Sequence, residues 1–312
     1  MSFVDEYIQI LKNGYEKIIY FHDATSKVYD YKGFTHCNTE TWKEEFVDLI
    51  LKNLLNYCYE TKEIESLYSP KFPGLENYII KATRDRLNNK TKQPQQDGLC
   101  GELLIDLILR MENINNKTLL CRPKYQQKGA KAELKNYDVL IFNDEGAKVK
   151  LLLGQVKSGK YDYCTVKMEE DLNTKYTNTY FGDAVCYIAD RLLTDNPSEV
   201  LLNLLKDIND IALGTTDKKI RNDKICEYIK ANQIKVEIPC LLLYSNDAVY
   251  EVNSQIKEKI SKEISKIEEF FDSKSFNIQE FDFNIVFYVF PAKSVNDLRE
   301  SIMNYKREVL ND

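Results

Sequence analysis

Few residues in this sequence of 312 could bind a transition metal. It has only two histidines, His22 and His36, and its eight cysteines are scattered without a C-x-x-C pair. A structural zinc site needs four ligands, and the neighbours His36 and Cys37 cannot surround one ion by themselves. These absences argue against a zinc site, and the scattered cysteines agree with a cytoplasmic protein.

Long apolar runs are also missing. No run approaches the roughly 20 residues that a membrane helix requires, and the N-terminal stretch MSFVDEYIQILKNGYEK lacks the basic-then-apolar order of a signal peptide. With 43% hydrophobic and 29% charged residues, the composition is typical of a globular protein. We therefore expect a cytoplasmic protein without a membrane partner.

The chain has no overall excess of positive charge, since its net charge is −6. Residues 117–160 are the exception: nine Lys and one Arg face four acids there, a local charge of +6. Such a segment is either a solvated surface or a contact region for phosphates. We take Lys128, Lys131, Lys135 and Lys160 as candidate nucleic-acid contacts.

Two regions are expected along the chain. Apolar residues recur every three or four positions up to about Asn89, which predicts a helical N-terminal region over residues 1–95 and a candidate partner interface. The polar stretch 87–98, LNNKTKQPQQDG, has the composition of a linker. Residues 96–312 form the expected core.

The core sequence predicts an α/β fold. It begins with a helix, LCGELLIDLILRME, for which Asp97 is the candidate N-cap, and continues with three strand-like segments, TLLCRPKYQ, NYDVLIF and KVKLLLGQVK. Helical patterns occupy residues 166–229. Two further strands, VEIPCLLLYS and FNIVFYVF, alternate with helices, so we expect one mixed sheet flanked by helices.

The stretch LLLGQVKSGKYDY has two interpretations. Gly154, Gly159 and Lys160 have the spacing of a phosphate-binding P-loop. Tyr161, however, stands where a Ser or Thr should reach magnesium, the segment YDYCTV begins a helix poorly, and no acidic Walker B strand is present. The sequence therefore disfavours nucleotide binding.

The second interpretation is a nuclease metal site, which needs carboxylates and a lysine on one face of a hairpin. A two-residue turn at Glu145-Gly146 would place Asp138 opposite Leu153. Asp138, Gln155 and Lys157 would then share a face, with Asp138 diagonal to Gln155 at roughly 7–8 Å. A slip of one residue would send these side chains to opposite faces.

Glu102 is the candidate third acid. It lies early in the helix before the strands, and Asp106 shares its face one turn later. Two explanations remain open for an acid in the apolar stretch GELLIDLIL: a functional pocket, or simple attraction to the positive end of the helix.

Together these motifs resemble the PD-(D/E)xK nuclease superfamily. The resemblance is carried by Gly101-Glu102, by Tyr137-Asp138 and by the segment 154–157, GQVK. More narrowly, GELLIDLIL, LLLGQVK and YVFPAKSVNDLRESI are similar to the HamA family of the Hachiman antiphage defence system, over residues 95–312.

The resemblance implies a restriction-endonuclease-like fold and a Mg²⁺-dependent DNA nuclease, with Mn²⁺ as a substitute. It also implies a partner, the superfamily 2 helicase HamB, which restrains the nuclease until aberrant DNA is sensed. Carried over by position, Asp138, Glu102 and Gln155 would be metal ligands. Lys157 would position the nucleophilic water and stabilise negative charge at the phosphate.

Gln155 departs from the acid that is commoner at its position. Its amide oxygen can coordinate Mg²⁺ but brings no charge. Two hypotheses follow: a catalyst with weakened metal binding, or a catalytically degenerate fold that acts as a DNA-binding or inhibitory subunit of a helicase complex.

Overall fold

A mixed sheet organises the chain. The computed structural model describes residues 2–22, 28–87, 98–112, 117–120, 137–189, 197–276, 278 and 283–311. Within these ranges, seven strands pair in the order β1-β2-β7-β6-β5-β4-β3. The strands are β1 (Ile18–His22), β2 (Asp30–His36), β3 (Lys117–Leu120), β4 (Val139–Asp144), β5 (Val149–Gly159), β6 (Lys235–Ser245) and β7 (Phe283–Ala292).

The middle of the sheet is parallel and its ends are antiparallel. β5, β6, β7 and β2 run parallel, whereas β1 is antiparallel to β2, and β3, β4 and β5 form an antiparallel meander. Parallel strands need crossover connections, and helices provide them here. The strand segments expected in the core are confirmed within the described ranges, which leave out residues 121–126 of TLLCRPKYQ. A mixed α/β architecture is also confirmed.

Helices cover both faces of the sheet. They are α1 (Phe3–Gly14), α2 (Trp42–Lys52), α3 (Leu54–Cys58), α4 (Thr61–Leu67), α5 (Leu75–Arg86), α6 (Leu99–Glu112), α7 (Tyr161–Thr174), α8 (Asn178–Ala189), α9 (Glu199–Leu213), α10 (Lys218–Ala231), α11 (Ile256–Asp272) and α12 (Val295–Asn311). No helix in the ranges that the structure describes is both long and apolar enough to cross a membrane.

Two hydrophobic cores lie on opposite faces of the sheet. Leu152 of β5 joins the core beneath α1–α6 and α12, and its neighbours Leu151 and Leu153 join the core beneath α7–α11. This division follows from the two-residue side-chain period of a strand. Each fully buried Leu, Ile or Phe contributes about 1.5–3 kcal/mol, so both layers fix the position of β5.

The N-terminal region is not helical throughout. The helical pattern expected from the N-terminus to about Asn89 is interrupted, since α1 ends at Gly14 and Ile18–His22 form β1. The run IIYFH is short and rich in β-branched and aromatic residues, which suits a strand once an edge is available for pairing. β2 supplies that edge and itself pairs with β7. The predicted boundary at residue 95 lies outside the described residues, as does the N-cap candidate Asp97.

Candidate active site

The β4–β5 hairpin places Asp138 next to Gln155. The connecting loop spans residues 145–148 and is closed by a 2.9 Å hydrogen bond from Glu145 N to Lys148 O. Val139 pairs with Gly154. The prediction of a two-residue turn, with Asp138 opposite Leu153, is therefore wrong by two residues. Because the side-chain period is also two, the predicted face is unaffected.

Asp138 is held between the two neighbours of Gln155. Its backbone N–H donates to Gly154 O at 3.0 Å, and its Oδ2 accepts from the Val156 N–H at 2.9 Å. The Asp138 carboxylate thus links the start of β4 to β5 through a hydrogen bond. The structure brings Asp138 and Gln155 together, as the sequence predicted.

Gly154 is required by packing. A Cβ at this position would lie 2.4 Å from Pro239 O, 2.7 Å from Pro239 Cγ and 2.9 Å from Val139 Cβ. The β5–β6 register runs from Lys150 to Leu152 and resumes at Gln155, and Pro239 has no N–H to donate in the gap. The glycine therefore has a role that involves no phosphate.

The same geometry is incompatible with a P-loop. Residues 155–159 stay extended and pair with β6 from Cys240 to Tyr244, so their amides do not wrap around a ligand. The expectation that YDYCTV begins a helix poorly is wrong, since α7 begins at Tyr161. Burial of Cys164, Met168 and Leu172 against the sheet outweighs the weak local propensity.

A charged network joins β5 to α7. Lys157 Nζ forms an ion pair with Asp171 Oδ2. Lys175 Nζ lies 2.7 Å from the same oxygen and donates to Gln155 Oε1 at 2.9 Å. Gln155 is fully buried and Asp171 is buried. Two ammonium groups thus contact the Asp171 carboxylate, and one of them, that of Lys175, also contacts the amide of Gln155.

Asp171 and Lys175 are not among the site residues predicted from the sequence. Their four-residue spacing was visible as an i,i+4 pair, and α7 follows the motif strand directly. The missing information was the docking of α7 over β5. This docking brings Asp171 to Lys157 and Lys175 to Gln155, although these pairs are 14 and 20 residues apart in the sequence.

Tyr176 lies beside the motif strand β5 and is influenced by both Asp138 and Asp171. Its hydroxyl donates to Leu153 O at 2.8 Å. Burial raises the pKa of Tyr176 well above its ordinary value, and the charges of Asp138 and Asp171 raise it further. The phenol therefore stays protonated and keeps its hydrogen bond to β5.

Glu102 approaches β5 from the other face of the sheet. A Cβ on Gly101 would lie 2.5 Å from Val156 Cγ1, so the start of α6 presses on the motif strand. The carboxylate of Glu102 accepts a 2.6 Å hydrogen bond from the Tyr57 hydroxyl. Asp106 accepts from Asn53 at 2.7 Å, which confirms that the two acids share a face.

The hydrogen bonds of Glu102 and Asp106 described above join α6 to Tyr57 of α3 and to Asn53 just before it. Across the residues that the structure describes, no group of three or more His, Cys, Asp and Glu is placed to hold a metal ion. Of the candidate phosphate contacts, Lys160 is exposed and stands at the N-cap position of α7, where its side chain makes no capping hydrogen bond. Lys128, Lys131 and Lys135 lie outside the described residues.

Arg299 holds the C-terminal end of β5 in place. This buried residue of α12 donates from Nη2 to both the carbonyl oxygen and Oγ of Ser158, each at 2.6 Å. Arg299 is not among the predicted site residues, although an arginine within the apolar periodicity of α12 is a signal visible in the sequence.

Fold and site together define an α/β protein with a mixed sheet, in which an acid, an amide and a lysine meet on adjacent strands. The HamA family model matches residues 13–305, so the chain belongs to the HamA family, which implies a role in Hachiman antiphage defence. No curated protein and no solved structure matches the chain significantly.

Proposed function

We propose that this chain is a metal-dependent DNA nuclease, controlled by the helicase HamB. The observation that carries the proposal is the position of Asp138, held between Gly154 and Val156 on either side of Gln155. Lys157 lies on the same face of β5 and points to the same network. An acid, an oxygen donor and an ammonium group are thus adjacent, as phosphodiester hydrolysis requires.

The donor chemistry suits Mg²⁺, with Mn²⁺ as a substitute. Asp138 offers a carboxylate and Gln155 an amide oxygen, both hard ligands of the kind that Mg²⁺ prefers. Glu102, predicted as the third ligand, accepts a hydrogen bond from Tyr57 on the other face of the sheet, so the proposal depends on Asp138 and Gln155 rather than on Glu102. When bound, the ion would lower the pKa of a water molecule and neutralise phosphate charge.

The protein side chains would hold the scissile phosphate and the water. The ammonium of Lys157 is largely removed from solvent, where its interaction with a phosphate oxygen is stronger than at the surface. Lys160, with Lys128, Lys131 and Lys135, would contact the DNA backbone. We further propose that the acidic remainder of the chain makes DNA encounter depend on HamB, with residues 1–95 contributing to the interface.

A second candidate function is a catalytically degenerate subunit that binds DNA or inhibits the helicase. The observation favouring it is that Gln155 brings no charge and that its Oε1 accepts a hydrogen bond from Lys175. In this alternative the site is a structural remnant in which lysines take the place of a metal ion.

Plasmid degradation in Mg²⁺ or Mn²⁺, with and without HamB, decides between the two functions. The unmutated chain should cleave, whereas Asp138→Ala and Lys157→Ala should lose cleavage and keep most DNA affinity. Lys167→Ala is the matched control, because that exposed lysine pairs only within α7. If folded protein that binds HamB cleaves under no condition, the degenerate-subunit function is correct.

A further inference from the structure

The site lacks a carboxylate on β5. Gln155 and Lys157 project from the same face of this strand, but the amide of Gln155 cannot balance positive charge. A divalent cation held by Asp138 and an amide alone would face one negative charge on that side of the sheet. A second acid close to Gln155 would remove this deficit.

Asp171 is such an acid. α7 begins two residues after β5 ends and runs back over the strand, with Cys164, Met168 and Leu172 packed into the core below. This docking brings the carboxylate of Asp171, which is buried, into contact with Lys157. A buried carboxylate without compensating cations would be strongly unfavourable, and here two ammonium groups compensate it.

The oxygens of Asp171 and Gln155 already converge on one cation. The Lys175 ammonium lies 2.7 Å from Asp171 Oδ2 and 2.9 Å from Gln155 Oε1. The side chain of Lys175 is 31% exposed, so it can move into solvent and leave both oxygens to another cation. Two oxygens directed at one positive centre are also what a hard divalent ion requires.

We propose that Asp171 supplies the carboxylate that position 155 lacks, so that Asp138, Gln155 and Asp171 bind a divalent cation beside Lys157. This inference rests on the proposed nuclease function, whose site it completes. Asp138 and Asp171 balance Lys157 and Lys175 before the cation binds. When the cation binds and Lys175 withdraws, the group carries a net charge of +1.

The test compares two double variants that have the same net charge. Asp171→Asn with Gln155→Glu moves the carboxylate to β5, whereas Asp171→Asn with Lys175→Gln restores charge balance without restoring a carboxylate. Mn²⁺ affinity is measured by calorimetry on the full chain, plasmid cleavage is measured in parallel, and thermal melting confirms folding.

Asp171→Asn alone should weaken Mn²⁺ binding at least tenfold and abolish cleavage. The variant carrying Gln155→Glu should recover both, and the variant carrying Lys175→Gln should recover neither. Equal recovery in the two double variants would reduce Asp171 to a charge partner of the lysines and overturn the proposal. If Asp171→Asn does not fold alone, the comparison between the double variants decides the question.

Cation binding and cleavage separate this inference from the nuclease proposal. Mn²⁺ binding that depends on Asp171, in a chain that never cleaves DNA, would overturn the nuclease function and retain Asp171 as a ligand. Cleavage that survives Asp171→Asn would retain the nuclease and overturn the role of Asp171. The absence of Mn²⁺ binding by the unmutated chain would also overturn that role.

Discussion

Gly154 occupies a position at which neighbouring strands leave no room for a side chain. The carbonyl oxygen of Pro239 approaches from β6 and Val139 approaches from β4. At such positions the smallest substitution forces a backbone to move, because protein interiors are close-packed. The stability of the hairpin that carries Asp138 therefore depends on the absence of one methyl group.

Gly154→Ala should lower the free energy of unfolding by about 1–3 kcal/mol through overpacking. Urea denaturation measures this effect. Gly74→Ala is the matched control, because its Cβ would meet only Asn77 Nδ2 at 3.4 Å. Equal stability of the two variants would show that the sheet relaxes around the methyl group at no cost.

The burial of His36 makes the stability of the protein depend on pH. Its ring stacks between Trp42 at 4.2 Å and Tyr250 at 4.4 Å, and its Nε2 accepts from the Lys293 N–H. Burial, together with the charge of Lys293, lowers the pKa of His36 from 6.5 to about 4, although the hydrogen bond to the Cys37 carbonyl opposes the shift. The folded protein therefore excludes a proton that the unfolded chain accepts.

The contribution of His36 to stability should be complete above pH 6.5 and should decline as the pH falls towards 4. The loss is at most about 3 kcal/mol for this shift in pKa. Urea unfolding at pH 7.5 and pH 5 measures it. His36→Phe keeps an aromatic ring in the stack and should show a smaller pH dependence. An unchanged dependence in that variant would assign the effect to other groups.

At the scale of elements, one arginine of α12 binds the C-terminal end of β5, the strand that carries Gln155 and Lys157. The Arg299 guanidinium binds the carbonyl oxygen and the hydroxyl of Ser158. A buried carbonyl that loses its charged donor bears the desolvation cost without compensation. The position of Lys157, one residue earlier, thus depends on a helix more than 130 residues downstream.

Arg299→Ala should destabilise the protein by about 2–4 kcal/mol, since it removes a buried cation together with two hydrogen bonds. Ser158→Ala removes only the contact with the hydroxyl and should cost about 1 kcal/mol. Chemical denaturation of both variants and of the double variant gives the coupling energy. A coupling energy of zero would contradict the contact.

Elements with a long apolar pattern were predictable from the sequence, and their docking was not. α6 and strands β4–β7 follow from runs of apolar residues whose length and spacing suit one kind of structure. The run IIYFH was ambiguous because short apolar segments fit a helix or a strand. The hairpin register was wrong by two because turn residues do not fix loop length. Asp171 remained unidentified because no local pattern shows where a helix packs.

At the scale of the molecule, residues from both ends of the chain share one sheet. β2 pairs with β7, and α11 packs closely on β2, since a Cβ on Gly33 would lie 2.6 Å from Ile264 Cδ1. The predicted helical region thus supplies an interior partner strand as well as helices. One core joins α2 and α5 to α6 and α12.

Residues 96–312 alone should therefore not form a stable domain. Removing residues 1–95 exposes the edge of β7 and uncovers the core beneath α6 and α12, and exposed edges promote aggregation. Size-exclusion chromatography and thermal melting of this fragment, compared with the full chain, provide the measurement. A monomeric fragment that melts at the temperature of the full chain would show that the N-terminal region is an independent appendage.

The pairing of Asp30 with Val286 also determines when the protein can be complete during its synthesis. β2 leaves the ribosome early and must wait for β7, so its pairing depends on one of the most sequence-distant contacts that the chain can make. Folding of N-terminal segments during translation cannot close this sheet. A newly made chain therefore completes this sheet only after β7 has been synthesised, and a product interrupted before β7 would lack the strand that joins β2 to β6.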